Sequence, residues 1–246
     1  PGCVSSTVTR WCYTLRVSTL GHHLEEIRER LEAACNRAGR HPDHVRLMAV
    51  SKRQPDALLQ EACSLGLRLF GESRVQETRE RIARFPEDAE IHMIGHLQRN
   101  KARDAAGLYA SVDSIDAART ARALQAACER EQRGMPVLLE VNTSGEASKD
   151  GVTTLDELLE LVETIRECPR LQLRGLMTIG PVSTDERRLR SAFAGLRSMR
   201  EQVQREHTDL ALPELSMGMS NDYEYAILEG ATTVRVGTAL FGARDS

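Results

Sequence analysis

Several features that would mark a specialised class of protein are scarce or missing in this sequence. The 246 residues include only four Phe, four Tyr and one Trp, and no apolar run approaches the length that crosses a bilayer. Lys and Arg together number 33 against 36 Asp and Glu, so the formal net charge is −3. Because no apolar run is long enough, we do not expect a membrane protein. Because there is no excess of positive charge and no basic stripe interleaved with aromatic residues, we do not expect nucleic-acid binding.

Paired cysteines are also missing. No two cysteines form a CxxC motif, so the sequence predicts neither a zinc ribbon nor a dithiol redox site, and reduced thiols in a cytoplasmic protein are the simplest account. The six cysteines are Cys3, Cys12, Cys35, Cys63, Cys128 and Cys168. With 41% hydrophobic and 28% charged residues, the composition is that of a globular protein.

The first eighteen residues differ in composition from the rest. They lack Asp and Glu and carry Arg10 and Arg16 among Ser and Thr, which loosely resembles an organelle transit peptide. They contain no continuous apolar segment of the kind found in a secretory signal. We expect residues 1–18 to be a disordered extension, or one added for expression, and residues 19–246 to form a single domain.

Short β-rich runs alternate with helical patterns through that domain. Because the runs are separated by helices and never adjacent, they predict parallel βα units, and eight such units close into a (β/α)8 TIM barrel. A doubly wound open sheet is the alternative, but no GxGxxG follows the first run. The eight predicted strands are Val45–Val50, Leu67–Phe70, Glu90–Ile94, Leu108–Val112, Val137–Asn142, Gln172–Thr178, Glu214–Met217 and Thr233–Val236.

Helix signals fill the intervals. Apolar residues recur at three- and four-residue steps from about Leu20 to Ala38, which predicts an amphipathic helix that fills the place of the helix missing after strand eight. Thr154 with Glu157 three residues later predicts an N-cap, and Pro55 suits a first helical turn. A long amphipathic helix is predicted from Asp185 to His207.

Lys52 follows the first predicted strand directly, where a barrel places the residues of its active-site mouth. Most lysines at such a position are solvated strand ends. A lysine in this low-dielectric mouth loses some preference for its charged form, and the neutral amine attacks carbonyl groups to form a Schiff base. The same lysine would equally suit a phosphate.

Small and hydroxyl residues follow strands seven and eight, where barrels commonly bind phosphate. "SMGMSND" contains Ser216 and Ser220, and "RVGTALFG" contains Gly237 and Thr238. We expect Ser220 to cap the following short helix. Arg235 lies two residues before Gly237 and is predicted to be buried, where its partner is either a structural carboxylate or a heterocyclic nitrogen of a ligand.

"IHMIGHLQRNK" places His92 and His96 four residues apart after strand three. Gly95 lies between them, and no acidic third ligand stands nearby in sequence, so we expect no metal site. Hydrogen bonding around a ligand, or helix capping, is the preferred role for these histidines.

Taken together, seven motifs closely resemble the pyridoxal phosphate homeostasis protein family over about nine-tenths of the chain. They are "AVSKRQP", "FGESRVQE", "IHMIGHLQRNK", "VNTSGEASKDG", "GLMTIG", "LSMGMSNDYEYAI" and "VRVGTALFGARD". The resemblance implies a single-domain barrel like the N-terminal domain of alanine racemase.

The resemblance also implies site residues. Pyridoxal 5′-phosphate (PLP) would be held as a Schiff base on Lys52, and Arg235 would face the pyridine nitrogen and keep it unprotonated. The phosphate would be bound by Ser216, Ser220, Gly237 and Thr238. The family usually has Asn-Tyr after "FGE", where this chain has Ser73 and Arg74.

The family further implies a non-catalytic function in the homeostasis and supply of PLP, and thereby in amino-acid metabolism. Partners would be PLP and, transiently, PLP-dependent apo-enzymes, with the protein a cytoplasmic monomer. The alternative is a PLP-dependent racemase-like enzyme; in alanine racemase a second, β-rich domain supplies an opposing tyrosine, whereas this chain ends ten residues after strand eight. A Schiff-base aldolase acting on a phosphorylated sugar fits the lysine and phosphate loops but none of the seven motifs.

Overall fold

A computed structural model describes residues 18–243 of the chain, and eight parallel strands within that range close into a barrel in sequence order, with β8 paired to β1. This confirms the predicted (β/α)8 barrel. The strands are β1 Arg46–Val50, β2 Leu69–Glu72, β3 Glu90–Met93, β4 Ser111–Ile115, β5 Met135–Glu140, β6 Leu171–Met177, β7 Glu214–Ser216 and β8 Thr233–Val236.

Helices connect successive strands on the outside of the barrel. The α-helices are α1 Thr19–Arg37, α2 Asp56–Ser64, α3 Val75–Arg81, α4 Ala102–Leu108, α5 Ala118–Arg130, α6 Leu155–Arg166, α7 Glu186–Glu206, α8 Tyr223–Leu228 and α9 Thr238–Phe241. Within the described residues, no helix combines the length and the hydrophobicity that crossing a bilayer requires.

The predicted position of strand four is wrong by three residues. Leu108 is the last residue of α4, and the strand that was predicted over 108–112 runs from Ser111 to Ile115. The apolar pattern did not reveal this strand, because two of its buried residues, Ser111 and Asp113, are polar. Inside the barrel Asp113 accepts a hydrogen bond from the Ser111 hydroxyl. Such an internal hydrogen bond removes the usual cost of burying a polar side chain.

Strand two is displaced for a similar reason. It was predicted over 67–70, but it continues through Gly71 to Glu72. The Glu72 side chain is 1% exposed, and its Oε1 accepts the Ser51 hydroxyl at 2.7 Å. A buried carboxylate is tolerated here because this hydrogen bond and the nearby Arg81 guanidinium partly replace water.

The N-terminal helix fills the gap beside β8, as predicted. Leu24, Ile27 and Leu31 are buried on one face of α1, which packs against α8 and α9. Burying each such side chain stabilises the fold by about 1.5–3 kcal/mol relative to exposure. At the same interface, Arg30 pairs with Glu224 and lies 5.3 Å from the centre of the Tyr223 ring.

Two helix caps show how local sequence sets the boundaries. Thr154 and Glu157 form the predicted capping box at the start of α6. Ser18, the last residue of the expected extension, accepts a hydrogen bond from the Gly21 N–H at the start of α1. The rest of that extension lies outside the described residues, so its predicted disorder stays a prediction.

Candidate functional site

A cavity of about 740 Å³ opens at the carboxyl ends of the strands. Its volume lies within the range of small-molecule and cofactor sites. Five of the six residues predicted for the site line it, although they come from segments far apart in sequence: Lys52, Ser220, Arg235, Gly237 and Thr238.

Lys52 is half-buried at the mouth, immediately after β1. The residues before and after Lys52 have defined conformations. Ser51 is fully buried, and its hydroxyl donates to Glu72, which anchors the end of β1 to β2. Arg53 has a φ of 59°, a left-handed conformation that is uncommon for residues other than glycine. This tight turn, which no sequence pattern had indicated, sets the direction in which the chain leaves Lys52.

Ser220 lies at the mouth, but its predicted capping role is wrong. Asp222 occupies the N-cap position of α8, and its Oδ1 accepts the Met219 N–H at 2.5 Å. The Ser220 Oγ instead accepts the N–H groups of Gly237 at 3.3 Å and Ala239 at 3.1 Å. Since a hydroxyl has two acceptor lone pairs and one donor proton, the Ser220 O–H is left to donate towards the cavity.

Gly218 gives the loop between β7 and α8 its shape. Its φ is +93°, and a Cβ built there would lie 2.6 Å from the Ala226 Cβ, so only glycine fits. The Gly218 carbonyl accepts the Arg235 N–H at 2.9 Å. The loop that carries Ser220 is therefore held against β8.

Arg235 forms the floor of the cavity and is 4% exposed. Its Nη1 donates to the Ser216 Oγ at 2.9 Å, and its Nη2 donates to the Thr178 carbonyl at 2.8 Å. Ser216 is fully buried behind this guanidinium and is not among the residues that line the cavity. Its hydroxyl oxygen accepts from Arg235, and the direct phosphate contact that the resemblance implies for Ser216 stays a prediction.

Burial governs the electrostatics of Arg235. Removal from water lowers the pKa of the guanidinium, and three surrounding carboxylates oppose that effect. Those carboxylates belong to Asp113, Glu140 and Asp222. Arg235 is thus a cation held in place by hydrogen bonds and by a ring of negative charge.

The two histidines of the third motif do not share a site. His92 is buried inside the barrel, where its Nδ1 lies 2.9 Å from the Asp113 Oδ2. Burial opposes the charged form of His92, but Asp113 and Glu90 outweigh burial and raise the pKa of His92 to about 9. His96 diverges to Asp116, with its Nδ1 3.0 Å from the Asp116 Oδ2.

The sequence missed the His92–Asp113 pair because the strand position was wrong. Once β4 is placed at Ser111–Ile115, its register against β3 pairs His92 with Ser111 and brings Asp113 into the barrel. Polar residues at alternate positions of a strand, here Ser111 and Asp113, were the signal that would have found this pair.

Ser73 and Arg74, which replace the usual Asn-Tyr, also lie away from the large cavity. Both line a smaller one of about 420 Å³, together with His96 and Lys101. Arg74 is exposed and pairs with Glu77 at 2.8 Å. These two residues therefore belong to a neighbouring surface pocket.

Comparison with known proteins first defines the class. The family model "Alanine racemase, N-terminal domain" matches residues 22–245. An alanine racemase of Clostridium difficile 630 has the same fold at a TM-score of 0.72 and 13% identity, with 92% of this chain and 57% of the racemase covered. Fold and family model together define a barrel of the alanine racemase N-terminal domain class.

More similar proteins define the family within that class. The "Pyridoxal phosphate homeostasis protein" of Aquifex aeolicus is 41% identical over 222 residues, which are 90% of this chain and 96% of the relative. The structure of PipY from Synechococcus elongatus PCC7942, with PLP bound, is 35% identical at a TM-score of 0.75, covering 88% of this chain and all of PipY. The chain belongs to the pyridoxal phosphate homeostasis protein family.

Proposed function

We propose that this protein binds PLP at the carboxyl ends of its barrel strands and acts in the homeostasis and supply of the cofactor, without catalysing a reaction of its own. The observation that carries the proposal is that Lys52, Arg235 and three residues of two neighbouring loops line one cavity. The three loop residues are Ser220, Gly237 and Thr238. The name of the Aquifex aeolicus relative and the PLP bound to PipY support it.

The donor set of the cavity fits a phosphorylated pyridine aldehyde. One rim offers the hydroxyls of Ser220 and Thr238 and the backbone beside Gly237, which suit the oxygens of a phosphate. The floor offers the fixed guanidinium of Arg235. A ring nitrogen beside this cation would stay unprotonated, which makes the bound ring a weak electron sink.

The chain contains only three lysines, and two of them line the cavity. The Lys149 Nζ donates to the Gly180 carbonyl at 2.6 Å and pairs with Glu146 at 3.0 Å. Lys52 follows β1, the strand that pairs with β8, so it lies beside the end of the strand that leads into Gly237 and Thr238. From this position we assign covalent attachment to Lys52; PLP would supply an aldehyde that can condense with this primary amine.

The chain's own residues then act as holders. Ser220 and Thr238 would bind and orient the phosphate, and Arg235 would face the ring. Ser216 and the Thr178 carbonyl keep Arg235 in position. These roles require rigid groups, and the hydrogen bonds described above provide that rigidity.

Proton-transfer groups are sparse around the cavity. Within residues 18–243 its lining contains no His, Tyr or Cys, and its titratable residues are Lys52, Lys149, Asp222 and Arg235. A racemase must remove and return a proton on opposite faces of its substrate, which requires two positioned acid–base groups. Lys149 and Asp222 are both held in hydrogen bonds with the backbone, which favours a carrier over a racemase-like enzyme.

Titration of the purified protein with PLP, followed by visible absorbance, tests the proposal. The wild type and the Lys101→Ala control should develop a saturable band, since Lys101 lines only the smaller pocket. Lys52→Ala should lose the band. An unchanged band in Lys52→Ala would overturn the assignment of the attachment site.

Two further assays separate a carrier from an enzyme. Loaded protein incubated with a PLP-dependent apo-enzyme should restore that enzyme's activity, by transient contact or through released PLP. Incubation with free amino acids should give no turnover that scales with PLP content. Robust racemisation would instead support the racemase-like alternative.

A further inference from the structure

A second group of chemistry-bearing side chains lies at the carboxyl ends of three adjacent strands. His96 follows β3, Asp116 follows β4, and Glu140 ends β5. The register that pairs Ile115 with Leu139 places the next residues, Asp116 and Glu140, beside each other. The loop after β5 adds Asp150, and we call these four residues the acidic rim.

The donor atoms of the acidic rim are close together. One ligand atom each from His96, Asp116 and Asp150 all lie within 4.8 Å of one another. The His96 Nδ1 is 3.0 Å from the Asp116 Oδ2, while the Asp116 Oδ1 is buried without a hydrogen-bond partner. A lost hydrogen bond to a buried carboxylate is costly, so this oxygen requires an explanation.

Glu140 is a second, independent indication. Its side chain belongs to a residue that is only 5% exposed, and Asp116, Asp150, His96 and Arg235 are the ionisable groups that act on it. A largely buried carboxyl group therefore lies close to the other carboxylates of the rim.

We propose that the acidic rim binds a divalent cation, with His96, Asp116 and Asp150 as ligands and Glu140 as the fourth. One imidazole nitrogen with several carboxylate oxygens suits Mn²⁺ or Zn²⁺. A cation would satisfy the unpartnered Asp116 oxygen and the buried Glu140 together, which the His96–Asp116 hydrogen bond alone does not. This departs from the expectation of no metal site, because the acidic ligands come from segments remote from His96 in sequence.

The proposal is independent of PLP binding. The acidic rim shares no residue with the lining of the large cavity, and Lys52 follows a different strand, β1. Replacing one metal-ligating side chain should weaken cation binding at least tenfold. Even residues that only hydrogen-bond to metal ligands commonly change the metal affinity by 10–100-fold.

Chelator-treated full-length protein, dialysed against Mn²⁺, provides the test, with bound metal read from the loss of the free Mn²⁺ electron paramagnetic resonance signal. Zn²⁺ is measured by calorimetry. We expect saturable binding of about one ion per chain to the wild type. His96→Ala, Asp116→Asn and Glu140→Gln should each bind at least tenfold more weakly.

Two controls make the result specific. Glu87→Gln removes an exposed carboxylate away from the rim and should bind like the wild type. Lys52→Ala should also bind like the wild type, which separates this site from metal held by PLP itself. Circular dichroism checks that each variant is folded. The proposal would be overturned if the wild type bound neither Mn²⁺ nor Zn²⁺ saturably. It would also be overturned if the folded rim variants bound the metal as tightly as the wild type.

Discussion

The two sides of the barrel mouth have opposite character. The side formed by the ends of β7, β8 and β1 presents the hydroxyl residues Ser220 and Thr238 together with Lys52 and Arg235. The side formed by the ends of β3, β4 and β5 presents His96, Asp116 and Glu140. The groups on the first side suit an anion, and the acceptors on the second side suit a cation.

This difference shows that each strand end of the barrel can be specialised separately. The parallel strands are held together by backbone hydrogen bonds and by the outer helices, whereas the residues after each strand are free to vary. Arg235 lies between the two sides, because it donates to Ser216 and Thr178 while its charge is balanced by Asp113 and Glu140. Changes at Arg235 should therefore disturb both.

The largest effect is expected for Arg235→Leu. Removing the buried guanidinium takes a compensating charge away from Glu140 and Asp222 and leaves Asp113 with His92 as its remaining cationic partner. Breaking a buried charge arrangement of this kind costs roughly 3–5 kcal/mol. Urea unfolding at pH 7 measures the loss. The exposed Arg119→Ala control should change the free energy of unfolding by less than about 0.5 kcal/mol. Equal effects of the two variants would contradict the central role given to Arg235.

The second effect concerns His92 inside the barrel, between the two sides. Its pKa is about 9 when folded and about 6.5 when unfolded, so its contribution is fully present below pH 6.5 and is lost as the pH rises through 9. The expected loss is up to about 3 kcal/mol. Asp113, Glu90 and Arg46 are the charged groups that act on it.

Comparison of the wild type with His92→Gln isolates this contribution. The difference in free energy of unfolding should shrink between pH 6.5 and 9, whereas the exposed His22→Gln control should show no such change. A difference that does not depend on pH would show that His92 is neutral in the folded protein.

The smallest effect separates the two sides directly. Ser220→Ala removes a hydroxyl donor to the phosphate and should weaken PLP binding about tenfold, since a hydrogen bond to a charged group contributes about 1.5 kcal/mol or more. Ser220→Ala should leave Mn²⁺ binding unchanged. Asp116→Asn should weaken Mn²⁺ binding and leave PLP binding unchanged. If either variant lost the binding of both PLP and Mn²⁺, the two sides would be coupled.

Much of the fold followed from the sequence, because alternating strand and helix patterns with clear caps left few arrangements open. The strand boundaries failed where buried polar residues interrupt the apolar pattern, as at Ser111 and Asp113 in β4 and at Glu72 in β2. Their stability depends on partners such as His92 and Ser51, which are distant in the chain and invisible to local patterns.

Part of the candidate site could likewise be predicted from the sequence, and part could not. Lys52, Ser220, Arg235, Gly237 and Thr238 converge on one cavity, as their positions after β1, β7 and β8 indicated. The sequence did not indicate that the Ser220 hydroxyl accepts from the chain after β8. Nor did it indicate the acidic rim, since Asp116 and Asp150 meet His96 only through the pairing of strands and one loop.

The most direct test of the central claim is a peptide map of the PLP-loaded protein after reduction with borohydride. Because the chain contains only Lys52, Lys101 and Lys149, each lysine falls in a separate, readily assigned peptide. We expect to find the pyridoxyl group on the Lys52 peptide. Its presence mainly on the Lys149 or Lys101 peptide, or on none of the three, would show that Lys52 is not the attachment site.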